Sequence, residues 1–407
     1  MALTKLTKNL IDGTFGTEWV STIQTSNFTA VASKGYFVNT TSAAITVTLP
    51  VGVVGTEIVI QDYAGTFATN EVILSANGSE KIQGVTDDFK CVTNNATVTL
   101  IYQDATKGWT ADNIETNVSP FTVDYLAIAG GGSGGADGAG GGGAGGYSTT
   151  STYGGSGSAL SLTPGVNYAL TIGAGGPSQS TGATVGNTGS DSIISGTGIT
   201  TITLKGGGGG GAYSGKSALD GGSGGGGANS AGGGDNIGGS ALNSGAQGFN
   251  GGNGSTSAVN YTAGGGGGAG AVGQNAPSAT TAGNGGIGKS NSITGTATFY
   301  GGGGGGGMYT TGTAGTGGSG GGGNGAATSS NGQAGSPNTG GGGGGVTIYG
   351  AEGQVSGAGG SGIIILRYPN TKTITNPGAG LTFTTDTSIS GVKITKFTAG
   401  TGNIQFN

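Results

Sequence analysis

Residues 300–309 read YGGGGGGGMY, and further pure glycine runs stand at Gly206–Gly211, Gly264–Gly268 and Gly340–Gly345. The chain holds 103 glycines in 407 residues, whereas ordinary proteins contain about 7% glycine. Helix is unfavourable in such stretches because each interior glycine costs about 1 kcal/mol relative to alanine. Ordinary sheet is also weak, since glycine offers no side chain for cross-strand pairs. The glycine runs are therefore either fixed in a folded structure by backbone hydrogen bonds or flexible.

Packed extended helices are the regular structure that remains for these runs. Collagen is excluded because the sequence has no Gly-X-Y period and only 8 prolines. A helix of the polyproline II type has three residues per turn and no internal hydrogen bonds. Glycine keeps its N–H, so neighbouring helices can pack closely and satisfy each other's N–H and C=O groups. The sequence predicts polyglycine-II-like helices.

A flexible linker is the alternative, because glycine-rich and serine-rich sequence normally behaves as a coil. Three features favour a folded unit. Strand patterns interrupt the runs at Tyr168–Ile172 and Ile199–Leu204, and tyrosines stand just beyond several runs. Two apolar segments, Val123–Ala129 and Gly362–Pro369, also bracket the whole region. Matched strands at both ends predict one folded domain over residues 119–369.

The bracketing segments also carry a family resemblance. DYLAIAGGGSGG at Asp124–Gly135 and GGSGIIILRYP at Gly359–Pro369 resemble the ends of the glycine-rich domain of many bacteriophage tail-fibre and appendage proteins. The resemblance covers more than half of the chain. It implies glycine helices stacked into a sandwich, with specificity loops at one end, as in polyglycine-II-type adhesins.

The sequence before the glycine-rich region has a conventional β pattern. Ile45–Leu49 alternates cleanly before Pro50, and Val98–Tyr102 nearly does so. We predict an antiparallel β domain over residues 26–118, which resembles a small β domain recurrent in phage fibres. Residues 1–25, opening MALTKLTKNLI, resemble tail-fibre N-termini, and the resemblance implies an attachment segment. A frayed or helical N-terminus is the alternative. The predicted class is all-β without substantial α-helix.

The last residues, 370–407, again show short strand patterns. Leu381–Phe383, Val392–Ile394 and Ile404–Phe406 alternate, with Ser390-Gly391 and Gly400-Thr401-Gly402 between them. A segment this short cannot bury a core alone. We expect it to pack on the glycine-rich domain or on copies of itself, since fibres often join three chains at such a segment.

Composition narrows the functional classes. The net charge of −5 argues against nucleic-acid binding, which needs a basic surface. One cysteine, Cys91, allows no intrachain disulfide, and the chain has no histidine. We expect no cofactor or metal. Neither a secretory signal nor a membrane-spanning run is evident. These features fit a virion component made in the host cytoplasm.

Two segments match the phosphate-binding loop pattern, at Gly210–Ser217 and Gly283–Ser290. That motif needs a helix that starts at the lysine, and neither Lys216 nor Lys289 is followed by a helical pattern. Absence of histidine removes the usual general base. The carboxylates that remain for a glycosidase are Asp87 with Asp88, or Asp62 with Asp104. Surface and turn positions are the simpler interpretation, so we predict a non-enzymatic protein.

Aromatic side chains are the best binding candidates in a region almost free of side chains. Tyrosine offers flat apolar area and a hydroxyl at small entropic cost, and loops on a rigid scaffold are where recognition concentrates. The alternative is that these rings cap the ends of the glycine bundle. The receptor-binding candidates are Tyr213, Phe249, Tyr261, Tyr309 and Tyr349.

Together these features indicate a phage tail fibre or appendage that adheres to the host cell surface. The expected partners are a host polysaccharide or outer-membrane protein, other virion proteins through the N-terminal region, and two further copies in a homotrimer. A capsid-decorating or purely structural fibre is the first alternative. A polysaccharide depolymerase is the second.

Overall fold

A computed structural model describes residues 17–112, 114–116, 120–180, 182–230, 236–257, 261–309, 311–327, 329–347 and 353–407. The chain forms two compact units, divided after Ser119. Nearly all regular structure is β, and the one helical element among the described residues is a 3-10 turn at Ser151–Tyr153. The predicted all-β class is confirmed.

The first unit consists of two sheets of five strands each. Strands β1, β3, β5, β8 and β9 form one sheet in that order, and β10, β7, β6, β4 and β2 form the other. The strand bounds are β1 Glu18–Gln24, β2 Phe28–Thr29, β3 Lys34–Val38, β4 Ile45–Thr48, β5 Glu57–Asp62, β6 Val72–Ser75, β7 Phe89–Cys91, β8 Thr97–Asp104, β9 Gly108–Thr110 and β10 Glu115–Thr116.

The first six strands alternate between the two sheets and run parallel within each. Strands β1, β3 and β5 pair in parallel, as do β2, β4 and β6. The chain thus winds through successive coils before β7 to β10 add antiparallel pairs. The prediction of an antiparallel domain was wrong here. Side chains alternate with period two in both parallel and antiparallel strands, so the sequence pattern does not distinguish parallel from antiparallel pairing.

The apolar core of this unit lies between its two sheets. Trp109 is fully buried there, together with alternate residues of β3 to β8. Trp19 is 42% exposed and stacks on Phe37 with the ring centroids 4.5 Å apart. Only one of the two tryptophans therefore belongs to the buried core.

The second unit, residues 120–407, contains a ten-stranded sheet and a separate hairpin. Its main path runs β12-β11-β19-β22-β14-β15-β16, with β13 on β11 and with β20 and β21 on β22. The bounds are β11 Phe121–Ile128, β12 Tyr147–Thr149, β13 Leu160–Leu162, β14 Asn167–Thr171, β15 Ser192–Gly196, β16 Ile202–Leu204, β17 Lys289–Asn291, β18 Thr298–Tyr300, β19 Ile363–Pro369, β20 Ile374–Thr375, β21 Leu381–Asp386 and β22 Val392–Phe406.

The two strands that bracket the glycine-rich region pair with each other. β11 and β19 are antiparallel, in a register that places Asp124 opposite Arg367 and Ile128 opposite Ile363. Both strands are buried on both faces, because successive residues enter two different apolar clusters. The chain therefore leaves this pair of strands and returns to it, and the bracketed segment lies within the second unit.

The C-terminal strand differs from its prediction. Val392–Phe406 is one strand of 15 residues rather than two short ones. Its first half pairs with β19 and β21, and its second half pairs with β14. Gly400 lies within it at φ +101°, where glycine avoids the strain that a side chain brings. The predicted turn is thus an irregularity inside one strand, and the strand packs on the glycine-rich unit.

The glycine segments show a three-residue repeat in their hydrogen bonds. Every third N–H of residues 130–136 donates to the same neighbouring segment: Gly130 to Ser190 (3.1 Å), Ser133 to Asn187 (2.9 Å) and Ala136 to Thr184 (2.8 Å). The N–H groups in between turn to two other segments: Gly131 to Gly360 and Gly134 to Gly357, then Gly132 to Gly143 and Gly135 to Gly140. This pattern is the predicted polyglycine II arrangement.

Carbonyl groups of residues 130–136 accept hydrogen bonds from further segments. Gly207 and Gly210 donate to Gly130 and Ser133, while Gly343 and Val346 donate to Gly132 and Gly135. One segment is thus surrounded by neighbours that run both parallel and antiparallel to it. We call this array of hydrogen-bonded glycine segments the glycine lattice.

Backbone contacts explain why glycine is required in the lattice. A Cβ added at Gly142 would lie 2.1 Å from the carbonyl oxygen of Gly132, and one at Gly303 would lie 2.1 Å from that of Gly266. Neighbouring backbones thus occupy the space of a side chain. Buried alanine is accepted at a few positions, such as Ala144 and Ala269.

Sheet strands lead directly into glycine segments. β11 ends at Ile128 just before Gly130, β16 ends at Leu204 before Gly206, and β18 ends at Tyr300 before Gly301. These junctions define a sheet end of the lattice. The segments then run to their far ends at Ala136, Ala212 and Met308, and we call that opposite end the tip.

Candidate functional site

The tip is formed where glycine segments reverse direction. Asp137 and Gly138 both have positive φ, 71° and 56°, and turn the chain between residues 130–136 and 139–146. Aspartate tolerates this left-handed conformation better than most residues do. The carbonyl of Asp137 accepts a hydrogen bond from the N–H of Tyr213 at 2.9 Å. This hydrogen bond joins the chain reversal at Asp137 to the one at Tyr213.

Three tyrosines meet at the tip, one from the end of each of three glycine segments. The rings of Tyr213 and Tyr261 lie 5.4 Å apart at 85°, and those of Tyr261 and Tyr309 lie 5.3 Å apart at 59°. All three side chains are half-buried. Edge-to-face and tilted contacts at this spacing are favourable arrangements of aromatic rings. We call these residues the tip tyrosine cluster.

The cluster lines a cavity of about 140 Å³ together with Asp137 and Thr347. Asp137 is half-buried, and burial raises the pKa of its carboxyl group. Thr347 is 4% exposed, and its Oγ1 has no hydrogen-bond partner among the described residues. A carboxylate and an unsatisfied hydroxyl therefore face the same small space as the tyrosine rings.

Backbone strain also concentrates here. Tyr261 has φ +41°, which is unfavourable for a bulky side chain, and Ser214 has φ +68° in the turn after Tyr213. Such conformations persist where the surrounding structure imposes them, and they cluster at functional sites. This end of the lattice is therefore the best candidate for a binding site.

The five predicted binding aromatics do not all lie together. Tyr213, Tyr261 and Tyr309 form the cluster, whereas Phe249 lies toward the sheet end, where its N–H donates to Gly268 and its carbonyl accepts from Gly224. Tyr349 lies outside the described residues. Asp137 and Thr347 were missed as site residues, because the lengths of the glycine segments bring them to the tip and no local motif marks them.

Other tyrosines of the glycine-rich region pack at the sheet end. Tyr147 and Tyr300 are buried in an apolar cluster with Ile128 and Ile365. The hydroxyl of Tyr147 accepts a hydrogen bond from Asn291 Nδ2 at 2.9 Å, and Tyr153 lies against Arg367. The capping interpretation therefore describes these rings.

Neither phosphate-loop match has the required helix. Residues 212–216 form a tight turn that bridges Ala212 and Lys216, and the Lys216 ammonium donates to the carbonyl of Ala183. Lys289 begins strand β17. A helix N-terminus is needed to hold phosphates in that motif, so both matches reflect glycine abundance.

The candidate carboxylates of the first unit bind backbone or stand at the surface. Asp62 is 4% exposed, and it accepts hydrogen bonds from the N–H groups of Ala64, Gly65, Thr66, Phe67 and Asn95. Asp104 is exposed, and bonds from the Thr106 and Lys107 N–H groups lower its pKa. Asp87 is exposed and Asp88 half-buried just before β7. These contacts support structural roles for Asp62 and Asp104.

Replacement of Asp62 tests this structural role. Asp62→Ala should destabilise the first unit by about 2–3 kcal/mol, since several buried N–H groups lose their acceptor. Chemical denaturation followed by Trp109 fluorescence measures the change. Asp104→Ala, the exposed counterpart, should leave the midpoint almost unchanged. Equal effects of the two substitutions would contradict the assignment.

Among the described residues, no group of three His, Cys, Asp or Glu side chains is placed to hold a metal ion. In the same part of the chain, no helix has the length and apolarity needed to cross a bilayer.

The fold and the tip define an all-β protein built on a lattice of glycine segments. Residues 106–369 match the glycine-rich domain family. The match spans more than half of the sequence, and the chain belongs to this family. It ends at Pro369, the last residue of β19, so the central strand β22 lies beyond the matched region. No curated protein matches the chain at a significant level.

Proposed function

We propose that this chain is a host-attachment protein, a bacteriophage tail fibre or appendage whose glycine lattice presents the tip tyrosine cluster to a host surface. The observation that carries the proposal is the convergence of three half-buried tyrosines and a carboxylate on one cavity at the tip of the lattice. A cell-surface polysaccharide or an outer-membrane protein is the proposed target.

The lattice suits such a role because its segments are held by backbone hydrogen bonds. The tyrosine rings lie at the ends of these segments, where the chain reverses direction. A rigid scaffold also lowers the entropic cost of binding, since the contact residues are already in place. Aromatic rings in such positions supply much of the energy of many interfaces.

Association of several copies would strengthen attachment. We propose a homotrimer on the virion, held to other virion proteins by the N-terminal region. Weak binding at each tip then becomes firm through avidity, which raises overall affinity about 10²–10⁴-fold when the sites engage together. The protein needs no enzymatic step in this role.

Attachment to cells is the direct test. Fluorescently labelled full-length chain should bind saturably to host cells, and Tyr213→Ala with Tyr309→Ala should weaken that binding at least about tenfold, because hot-spot rings contribute 2 kcal/mol or more. Phe299→Ala is the matched control, since Phe299 is 47% exposed in strand β18 at the sheet end.

Three outcomes decide between this function and its alternatives. Saturable binding that depends on the tip tyrosines supports an adhesin. Absence of binding by a folded protein that remains bound to virions favours a capsid-decorating or structural fibre. Release of soluble sugar from the host envelope would instead indicate a depolymerase.

A further inference from the structure

The tip cavity combines aromatic rings with an acidic group. The rings of Tyr213, Tyr261 and Tyr309 line it, and the planes of neighbouring rings differ by 59° to 85°, so this lining is angled rather than flat. Asp137 is the acidic side chain among the described residues of the lining. Aromatic walls with a nearby carboxylate are an arrangement that attracts cations.

Asp137 has no basic partner among the residues that the structure describes. The salt bridges found there join Lys34 with Glu18 and Lys205 with Asp191, and neither includes Asp137. A half-buried carboxylate without a counter-ion is costly, because burial disfavours its charged form. An external cation in the cavity would remove this cost.

Thr347 provides a second polar group. Its Oγ1 is buried and has no partner in the part of the chain that the structure describes, although buried polar atoms in native structures nearly always have one. A hydroxyl can donate to or accept from a bound molecule. Among the described residues, the cavity thus contains a hydroxyl without a hydrogen-bond partner as well as a carboxylate without a basic partner.

We propose that the tip cavity binds an N-alkylated ammonium group, such as a trimethylammonium carried by a surface polymer. Tyrosine faces stabilise such a cation within about 6 Å of the ring centroid, and Asp137 supplies the opposite charge. A primary ammonium is a poorer occupant, because it brings three N–H donors and strong hydration to a lining made mainly of rings. The ammonium group is the part of the receptor that the tip is proposed to recognise, so this assignment rests on the function proposed above.

Choline and its neutral isostere 3,3-dimethylbutan-1-ol are the probes that separate charge from shape. Binding to the full-length protein is measured by calorimetry or by NMR shifts of the tyrosine rings. Choline should bind at least about tenfold more tightly than the isostere, because a partly desolvated cation–π contact contributes binding free energy that the neutral isostere lacks. Methylamine should bind more weakly than choline. Equal binding of the isostere, or tighter binding of methylamine, would overturn the proposal.

Asp137→Asn tests the carboxylate without disturbing the turn, because asparagine also tolerates a positive φ. Choline affinity should fall at least about tenfold when the opposite charge is removed. Burial raises the pKa of Asp137, so the folded state disfavours its charged form at neutral pH, and the neutral variant should melt at the same or a higher temperature. Lower affinity together with undiminished stability identifies a ligand-binding charge.

Two further results keep the proposal separate from the attachment function. Choline binding should survive Phe299→Ala and fall with Tyr309→Ala. Should the wild-type chain attach to cells through its tip but bind no choline, the ligand class would be wrong and the attachment function would stand. Should choline bind without any attachment to cells, the ammonium site would stand and the attachment function would fail.

Discussion

Gly303→Ala is expected to destabilise the second unit by more than about 3 kcal/mol, above the range of ordinary overpacked substitutions in protein cores. The added Cβ would lie 2.1 Å from the carbonyl oxygen of Gly266 and 2.7 Å from that of Gly267. Both contacts are with backbone, so no side chain can rotate away. The neighbouring segment must move, and its hydrogen bonds to further segments must move with it.

Calorimetry of the full-length chain measures this effect as a lower melting temperature of the second unit. Gly198→Asn is the matched control: Gly198 lies in the turn between β15 and β16 at φ +80° with no atom within 4 Å of an added Cβ. Asparagine tolerates that conformation, so the control should melt near the wild type. Similar shifts for both variants would show that the lattice accommodates side chains.

Removal of residues 392–407 is expected to prevent folding of the second unit altogether. β22 pairs with β19, β21, β14 and β20. Phe397 and Phe406, both fully buried, belong to it as well. Without this strand, β14 to β16 lose their connection to β11 and β19, and a cluster of apolar side chains opens to water.

The first unit serves as the internal control for this truncation, because the described residues of its core all precede residue 119. Limited proteolysis should digest the truncated chain after residue 119 while the first unit remains resistant. A second unit that still resists protease would mean that the glycine lattice folds without its sheet.

The glycine lattice could be predicted from the sequence because elementary backbone chemistry leaves few alternatives. Gly301–Gly307 cannot form a stable helix, and it has no side chains with which to pack as a sheet, so hydrogen bonds between extended segments remain. Its neighbours could not be predicted, since one glycine run is locally identical to another. Which segments meet is decided by the turns, the strands and the lengths of the runs.

The sequence predicts aromatic side chains at the tip, but it does not predict which other residues lie there. A tyrosine just beyond a glycine run, as at Tyr213 or Tyr309, indicates an aromatic end of the bundle. Asp137 and Thr347 reach the same cavity only because their segments end at the same level, which is a property of the packed array. The parallel coils of the first unit were missed for a related reason: β1, β3 and β5 start at unequal intervals, so no repeat is visible.

The continuity between sheet strands and glycine segments has a mechanical consequence. A pull on the tip, resisted where the chain enters the unit at Phe121, acts along the segments. Their hydrogen bonds join neighbouring segments, so the load is applied in shear, and many bonds carry it together instead of opening one after another. The chain also enters and leaves the lattice through β11 and β19 at the same end, which spreads tension over two adjacent strands.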